Sequence, residues 1–343
     1  MVVYSYKIKA SDFSICKVIK GNCKECSIKF PEAVSVAKLF KAHGNLKLIV
    51  DTKNKKFLKG GISDEKVFGE RINILPDGRK LNKAYSLFSP GLTIHEEKSN
   101  SHWDVISKNP NGKFSYIYTI GKEKLSKRKK YKKVDEFEKC LPRLRHNLLK
   151  AINEDGIVLP MLILLKTKMR VGNELYYKQN GHKGLTTLKK RDIKISGNKI
   201  TFDYIAKDGV PMKIIENFPD EIIIKLQKLL KPLKAGDFIF TDSKKRPLKD
   251  TAFEVAFEKY CGKKFYPHII RSHYATKEAE KFLESKDKFP KDDIKEFYLK
   301  IAEKLGHKKF SKAHGWENSY QVTLHYYIRP DLVKKIEKKV LNS

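Results

Sequence analysis

The chain has 343 residues, with 73 Lys and Arg against 40 Asp and Glu, a formal net charge of +33. That length can bury a real core and divide into two domains. The charge exceeds what an enzyme of neutral small molecules needs and fits a partner of dense negative charge, nucleic acid before an anionic membrane. A lysine-rich surface with no anionic partner is the plainer alternative, but the basic residues run along the whole chain instead of collecting in one tail. The longest apolar run, residues 157–165, contains Pro160 and is too short to span a bilayer. The N-terminal residues lack the charged-then-apolar layout of a signal peptide. Cys16, Cys23, Cys26, Cys140 and Cys261 are an odd, sparse set and read as reduced thiols inside a cell. Cys23 and Cys26 have the spacing of half a zinc site, but no second pair follows, so no metal is expected there.

Residues 1–118 read as short alternating segments broken by turn signals, the mark of strands and hairpins. Residues 46–50 are one such strand, and Asn111-Gly112 is a hairpin turn leading into a strand over 113–120. Residues 121–133 are strongly basic with few apolar side chains and read as a connection between domains, either solvated or lying along nucleic-acid phosphates. Phe137, Leu141, Leu144 and Leu148 then recur at helical spacing, which predicts a helix after Val134. Residues 156–169 read as a second, buried helix. Strands return over 185–188, 193–195 and 200–205, turned at Ser196-Gly197-Asn198 and Lys207-Asp208-Gly209. Helices resume around 219–233 and continue to the end.

The basic residues suit one kind of chemistry. Cutting a phosphodiester with a protein hydroxyl requires in-line attack, neutralisation of the non-bridging oxygens and a proton for the leaving 5′-oxygen. Guanidinium forks fit phosphate oxygens, a lysine on a hairpin can give up a proton, and a tyrosine can attack and hold the phosphate as an ester. The sequence shows no acidic cluster of the kind that holds Mg²⁺ and no Walker loop. Any single Arg, Lys or Tyr is weak evidence, because most are solvated charges or half-buried structural rings. Context and order carry the case.

Met169-Arg170-Val171-Gly172-Asn173-Glu174-Leu175-Tyr176, leading into Gly184-Leu185-Thr186-Thr187-Leu188, resembles the segment of type IB DNA topoisomerases that carries their first catalytic arginine and a Gly-Leu-x-Thr-Leu strand. Residues 202–210 resemble the strand and turn presenting the catalytic lysine, here Lys207. The family usually has Gly where this chain has Ala206, and Lys213 is a rival without the turn context. His268-Ile269-Ile270-Arg271-Ser272 resembles the helix start with the second arginine; His268 itself receives no role. Leu305-Gly306-His307 matches the family's Gly-His, with His314 and His325 as rivals. Tyr327-Ile328-Arg329-Pro330 resembles the bacterial pattern around the nucleophile, with Tyr326 and Tyr320 as alternatives. The separation of His307 from Tyr327 is wider than the family's, which points to an insertion over 310–321. In the N-terminal part, residues 111–118 resemble a viral strand that contacts DNA, so the resemblance implies DNA contacts at Lys113, Tyr116 and Tyr118, and at Tyr176. Ordinary packing aromatics are the alternative for the two strand tyrosines. The resemblance covers about residues 105–335, while residues 1–100 match poorly.

What the resemblance implies is an α+β protein: a small β-rich N-terminal DNA-clamping domain over 1–120, a basic linker over 121–135, and a larger, mostly α-helical catalytic domain over 136–343 with a small hairpin sheet. It implies a type IB topoisomerase that relaxes supercoiled duplex DNA as a monomer. Tyr327 makes a 3′-phosphotyrosyl link, Arg170, Arg271 and His307 stabilise the transition state, and Lys207 protonates the leaving oxygen, without ATP, metal or nucleotide cofactor. An intracellular location follows, with a virion or a site of viral DNA synthesis if the source is viral, and no membrane partner. A tyrosine recombinase using the same chemistry is the alternative, to be told apart by assembly on paired sites. A non-catalytic basic DNA-binding protein is the third reading.

Overall fold

The computed structural model describes residues 4–96, 98–99, 102–109 and 112–341. The chain divides into two units, Met1–Lys129 and Lys130–Ser343. The first is built from short strands: β1 (Tyr4–Ile8), β2 (Ile15–Ile19), β3 (Asn22–Glu25), then helix α1 (Pro31–Ala42), then β4 (Gly61–Ser63), β5 (Lys66–Phe68), β6 (Ile72–Ile74), β7 (Lys80–Tyr85), β8 (Thr93–Ile94), β9 (Val105–Lys108) and β10 (Phe114–Ile117). They form a sheet of order β3-β2-β1-β4-β5, a sheet of order β10-β9-β8 and the β6-β7 ribbon. Its core gathers Ile8, Phe40, Ile49, Leu58, Ile72, Tyr85, Val105 and Ile117.

Three features of this unit differ from the sequence reading. Helix α1 was not anticipated; Pro31 opens it and Ala33, Val36, Ala37 and Phe40 bury one face at helical spacing. The strand expected over 46–50 is a single 3₁₀ turn, Leu46–Ile49, burying Ile49. Cys16 and Cys23, expected as free thiols, are joined as a disulfide, their Cα atoms 5.5 Å apart, because the tight β2–β3 hairpin folds one back on the other. Cys26, Cys140 and Cys261 are free. Of the turn expected at Asn111-Gly112, Asn111 lies outside the described residues; Gly112 has a φ of 76° and donates its N–H to the Asn109 carbonyl at 2.8 Å.

The second unit is mostly helical. After α2 (Ile120–Lys150) come α3 (Val158–Thr167), α4 (Glu174–Asn180), β11 (Ile193–Ser196), β12 (Lys199–Ile205), β13 (Pro211–Asn217), α5 (Asp220–Leu230), α6 (Asp250–Cys261), α7 (Ile269–Ser285), α8 (Lys291–Leu305), β14 (Lys308–Ser311), β15 (Gly315–Asn318), α9 (Gln321–Tyr326) and α10 (Pro330–Lys338). Strands β11, β12 and β13 make one antiparallel sheet, and β14 pairs with β15. Helix α2 begins well before Val134, because its Lys, Arg and Glu residues are good helix formers that leave no apolar periodicity to read. From Tyr131 onward it buries Val134, Phe137, Leu141, Leu144 and Leu148 against α3 and the sheet. A second cluster of Ala275, Ala279, Tyr298, Ile301, Leu305, Tyr327, Ile328 and Ile336 fastens the C-terminal helices to α7 and α8.

Candidate active site

Arg170 follows α3, which ends at Lys168 in the left-handed region with a φ of 60°. The next two residues are held by the segment 184–187. Leu185 N–H donates to the Arg170 carbonyl at 2.8 Å, and Thr186 donates to the Val171 carbonyl through its N–H at 2.6 Å and its hydroxyl at 3.1 Å. Residues 185–187, expected as a strand, form a 3₁₀ turn, because Thr187 folds its hydroxyl back onto Gly184 and closes the turn locally. The two segments pack closely enough to exclude side chains. A Cβ on Gly184 would fall 2.6 Å from the Gly172 nitrogen, and one on Gly172, whose φ is 109°, would fall 2.9 Å from the Thr187 hydroxyl.

Arg271 lies in the first turn of α7 and is 3 % exposed. Its Nη1 donates to the Lys168 carbonyl at 2.6 Å and its Nη2 to the Leu305 carbonyl at 2.6 Å. Its Nε is buried and finds no acceptor among the described residues. Nη2 also lies 3.2 Å from Nε2 of His307, and Nδ1 of His307 lies 2.7 Å from the Thr323 hydroxyl. His307 sits just past the left-handed Gly306 that ends α8.

Tyr327 lies in this same cluster, 4 % exposed. Arg170 Nη2 donates to its hydroxyl at 3.3 Å, and His268 Nε2 lies 2.7 Å from the same oxygen. The His307 ring centroid is 4.6 Å from the Tyr327 ring, the Arg271 Cζ is 5.4 Å from it, and Lys130 Nζ stands over it at 5.3 Å. The backbone is fastened as well: the Tyr131 hydroxyl donates to the Ile328 carbonyl at 2.7 Å, Thr276 to the Tyr327 carbonyl at 3.5 Å, and Arg329 pairs with Asp135. Of the alternatives, Tyr326 is half exposed, and Tyr320 stacks on Tyr298 with ring centroids 5.7 Å apart.

The electrostatics follow from burying cations together. Burial, then the neighbouring Arg271 and Arg170, lower His307 to about 3. The same causes, with Lys130 and His307 added, lower His268 to about 2. Both rings are therefore neutral at physiological pH. Burial brings Arg271 down to about 10 and Lys168 to about 8.

Lys207 is exposed at the β12–β13 turn. Two clefts of about 260 and 240 Å³ share Arg170, Lys183, Lys207 and Arg271 in their walls, and the second also takes in Gly306 and His307. Tyr176 is 59 % exposed on α4 and lines the first cleft. The structure therefore gathers Arg170, Lys207, Arg271, His307, Tyr327 and Tyr176 in and around one region of the second unit. Lys113, Tyr116 and Tyr118 belong to the first unit. There Phe114 and Tyr116 lie on one exposed face of β10, with Lys108 Nζ 5.3 Å from the Phe114 ring and Trp103 5.3 Å from Tyr116. Tyr118 is half-buried past the strand end, its N–H donating to Asn82. Among the described residues no group of three His, Cys, Asp or Glu side chains converges on a metal-sized site, and no helix is long and apolar enough to cross a membrane.

Sequence reasoning missed three contributors. His268 precedes Arg271 by one helical turn, so the pair shares a face; that spacing was the available signal. Lys130 and Thr323 had none, since they reach the site only through the packing of α2 and α9.

The family described as eukaryotic DNA topoisomerase I, catalytic core, matches residues 121–323. That span is more than half of the chain and takes in Arg170, Lys207, Arg271 and His307; Tyr327 lies just beyond it. The chain belongs to this topoisomerase family, and type IB enzymes of viruses are among its relatives. It is 29 % identical over 147 residues to DNA topoisomerase 1B of Acanthamoeba polyphaga mimivirus, covering 41 % of this chain and 43 % of that one. It is 27 % identical over 105 residues to DNA topoisomerase I of Monkeypox virus and to DNA topoisomerase 1B of Vaccinia virus (strain Copenhagen), covering 30 % of this chain and 33 % of each. The matched region thus spans less than half the length of these relatives. A solved structure of the XerH site-specific recombinase bound to difH substrate aligns at a TM-score of 0.33 and 16 % identity, over 59 % of this chain and 52 % of that one.

Proposed function

We propose that the protein is a type IB topoisomerase that relaxes supercoiled duplex DNA through a transient 3′-phosphotyrosyl link, with Tyr327 as the nucleophile. One observation carries the reading: a buried tyrosine hydroxyl within hydrogen-bonding distance of Arg170 and a neutral His268, beside Arg271 and His307. A cluster of cations around a buried tyrosine is costly unless an anion joins it. A phosphodiester between Arg170 and Arg271 supplies that anion, and a phosphate oxygen gives the orphaned Arg271 Nε the acceptor it lacks.

In this reaction the Tyr327 oxygen attacks phosphorus while its proton passes to Nε2 of His268. Burial, and then the charges of Arg271 and Arg170, keep this ring neutral; the bound phosphate offsets those charges, so its basicity rises when substrate is present. Arg170, Arg271 and His307 stabilise the charge that develops on the non-bridging oxygens. Lys207 protonates the 5′-oxygen as its bond to phosphorus breaks. The freed strand swivels, and the 5′-hydroxyl attacks the phosphotyrosine to restore the duplex. The ester conserves the bond energy, so neither ATP nor a metal is required.

The organisation that goes with this reading is a β-rich DNA-binding domain over residues 1–120, a basic linker over 121–135, which is helical, and a catalytic domain over 136–343. The protein acts as a monomer on duplex DNA inside a cell, and Lys113, Tyr116, Tyr118 and Tyr176 contact the duplex. Replacing Tyr327 with Phe removes one hydroxyl from a buried ring, so it abolishes covalent capture of DNA and leaves duplex affinity within about twofold. Trapping of the Phe variant on denaturing gels would overturn the choice of nucleophile.

A further inference from the structure

Residues 308–318, between His307 and α9, form the β14–β15 hairpin, and this hairpin reaches the turn that carries Lys207. Lys308 Nζ donates to the Pro211 carbonyl, where β13 begins, at 3.1 Å. Trp316 closes the space over the turn: a Cβ on Gly209 would lie 3.8 Å from its Cζ2 and 4.0 Å from Nε2 of His182. The indole is fixed in turn by Phe310, its cross-strand partner, with ring centroids 5.5 Å apart. At the hairpin's root the Ser319 N–H donates to the His307 carbonyl at 2.8 Å.

The turn itself needs such support. Asp208 and Gly209 are consecutive left-handed residues with φ of 65° and 79°, and Asp208 carries a side chain in a region that favours glycine. Its local backbone bonds are Ala206 N–H to the Val210 carbonyl at 2.7 Å and Gly209 N–H to the Ala206 carbonyl at 3.1 Å. Lys207 is exposed and makes no side-chain hydrogen bond or ion pair among the described residues, so its position depends on how firmly the turn is held.

We infer that the β14–β15 hairpin is a brace for the Lys207 turn, with Trp316 and Lys308 as positioning residues that set the proton donor against the leaving oxygen. The hairpin is rooted at His307, so it ties the donor to a group that stabilises the transition state. The inference rests on the reading of Lys207 as general acid.

The test is single-turnover cleavage of two duplexes, after mapping where the wild type cuts. One carries the ordinary phosphodiester at that position. The other carries a 5′-bridging sulfur, which leaves as a thiolate; with a thiol pKa of roughly 8.5, it needs no proton donor. In Trp316→Leu and Lys308→Met, cleavage of the oxygen substrate falls about tenfold or more, as expected for a displaced catalytic group. Cleavage of the sulfur substrate stays within about threefold of wild type. Lys207→Ala shows the same pattern in stronger form. Equal slowing of both substrates by both variants, or no slowing of either substrate, overturns the brace. A Lys207→Ala enzyme that sulfur fails to rescue removes the general-acid assignment, and the inference goes with it. A wild type inert on both duplexes removes the topoisomerase reading itself.

Discussion

Two neutral histidines against Tyr327 make the site sensitive to acid. An unfolded chain titrates a histidine near 6.5, whereas folded His307 titrates at about 3 and His268 at about 2. Between those limits the unfolded chain binds more protons, so the stability these rings contribute is complete above pH 6.5 and is lost as pH falls. The slope cannot exceed about 1.4 kcal/mol per pH unit for each ring. Urea melts between pH 6.5 and 4 should show this fall, and His307→Asn should flatten it; an identical slope in the variant would contradict the burial of a neutral ring. The sequence displayed Arg170, Arg271 and His307 through their local context. The closeness of His268 to Tyr327 was beyond it, because it arises where the start of α7 meets the segment after α9, 59 residues further on. Tyr326 and Tyr327 are adjacent in sequence, yet one is half exposed and the other buried, a distinction that only packing creates.

At the scale of elements, the least forgiving contact is the crossing of residues 170–172 with 184–187. In Gly184→Ala the new methyl would meet the Gly172 nitrogen at 2.6 Å and the Arg170 carbonyl at 2.7 Å, both backbone atoms that cannot rotate away. Overpacking of this kind costs about 1–3 kcal/mol and displaces Arg170. The variant should therefore melt at lower temperature and cleave DNA at least tenfold more slowly, by the cost of moving an arginine proposed to hold the reacting phosphate. A fully active, equally stable Ala variant would contradict the crossing. Composition explains which elements were legible. The second half of α2, helix α5 and strands β11 and β12 declare themselves by apolar periodicity. The 3₁₀ turn at Leu185–Thr187 reads like a strand because its residues are apolar and β-branched, but its backbone is satisfied by side-chain hydroxyls and by residues 170–171. The spacing before Tyr327 reads as an insertion in the sequence, but nothing there announces the hairpin that the structure places in it, with Phe310 opposite Trp316.

For the whole molecule, charge sets the terms of the proposed DNA binding. A protein with a net charge of +33 gains affinity by displacing counterions from phosphates. If it covers about 6–10 phosphates, raising salt from 50 to 200 mM lowers duplex affinity by roughly 10³–10⁵. Fluorescence anisotropy with a labelled duplex measures this directly, and a change under about tenfold would count against a phosphate-dominated interface. The β-rich character of the first unit could be read from its turns. Its sheet order could not, because β1 pairs with both β2 and the distant β4, a choice made by tertiary packing.

The most direct test of the account is relaxation of supercoiled plasmid in EDTA without ATP, by wild type and Tyr327→Phe side by side. Relaxation by the wild type alone is the expected result. Relaxation by both would keep the activity and move the nucleophile to Tyr326 or Tyr320. Relaxation by neither would contradict the topoisomerase reading.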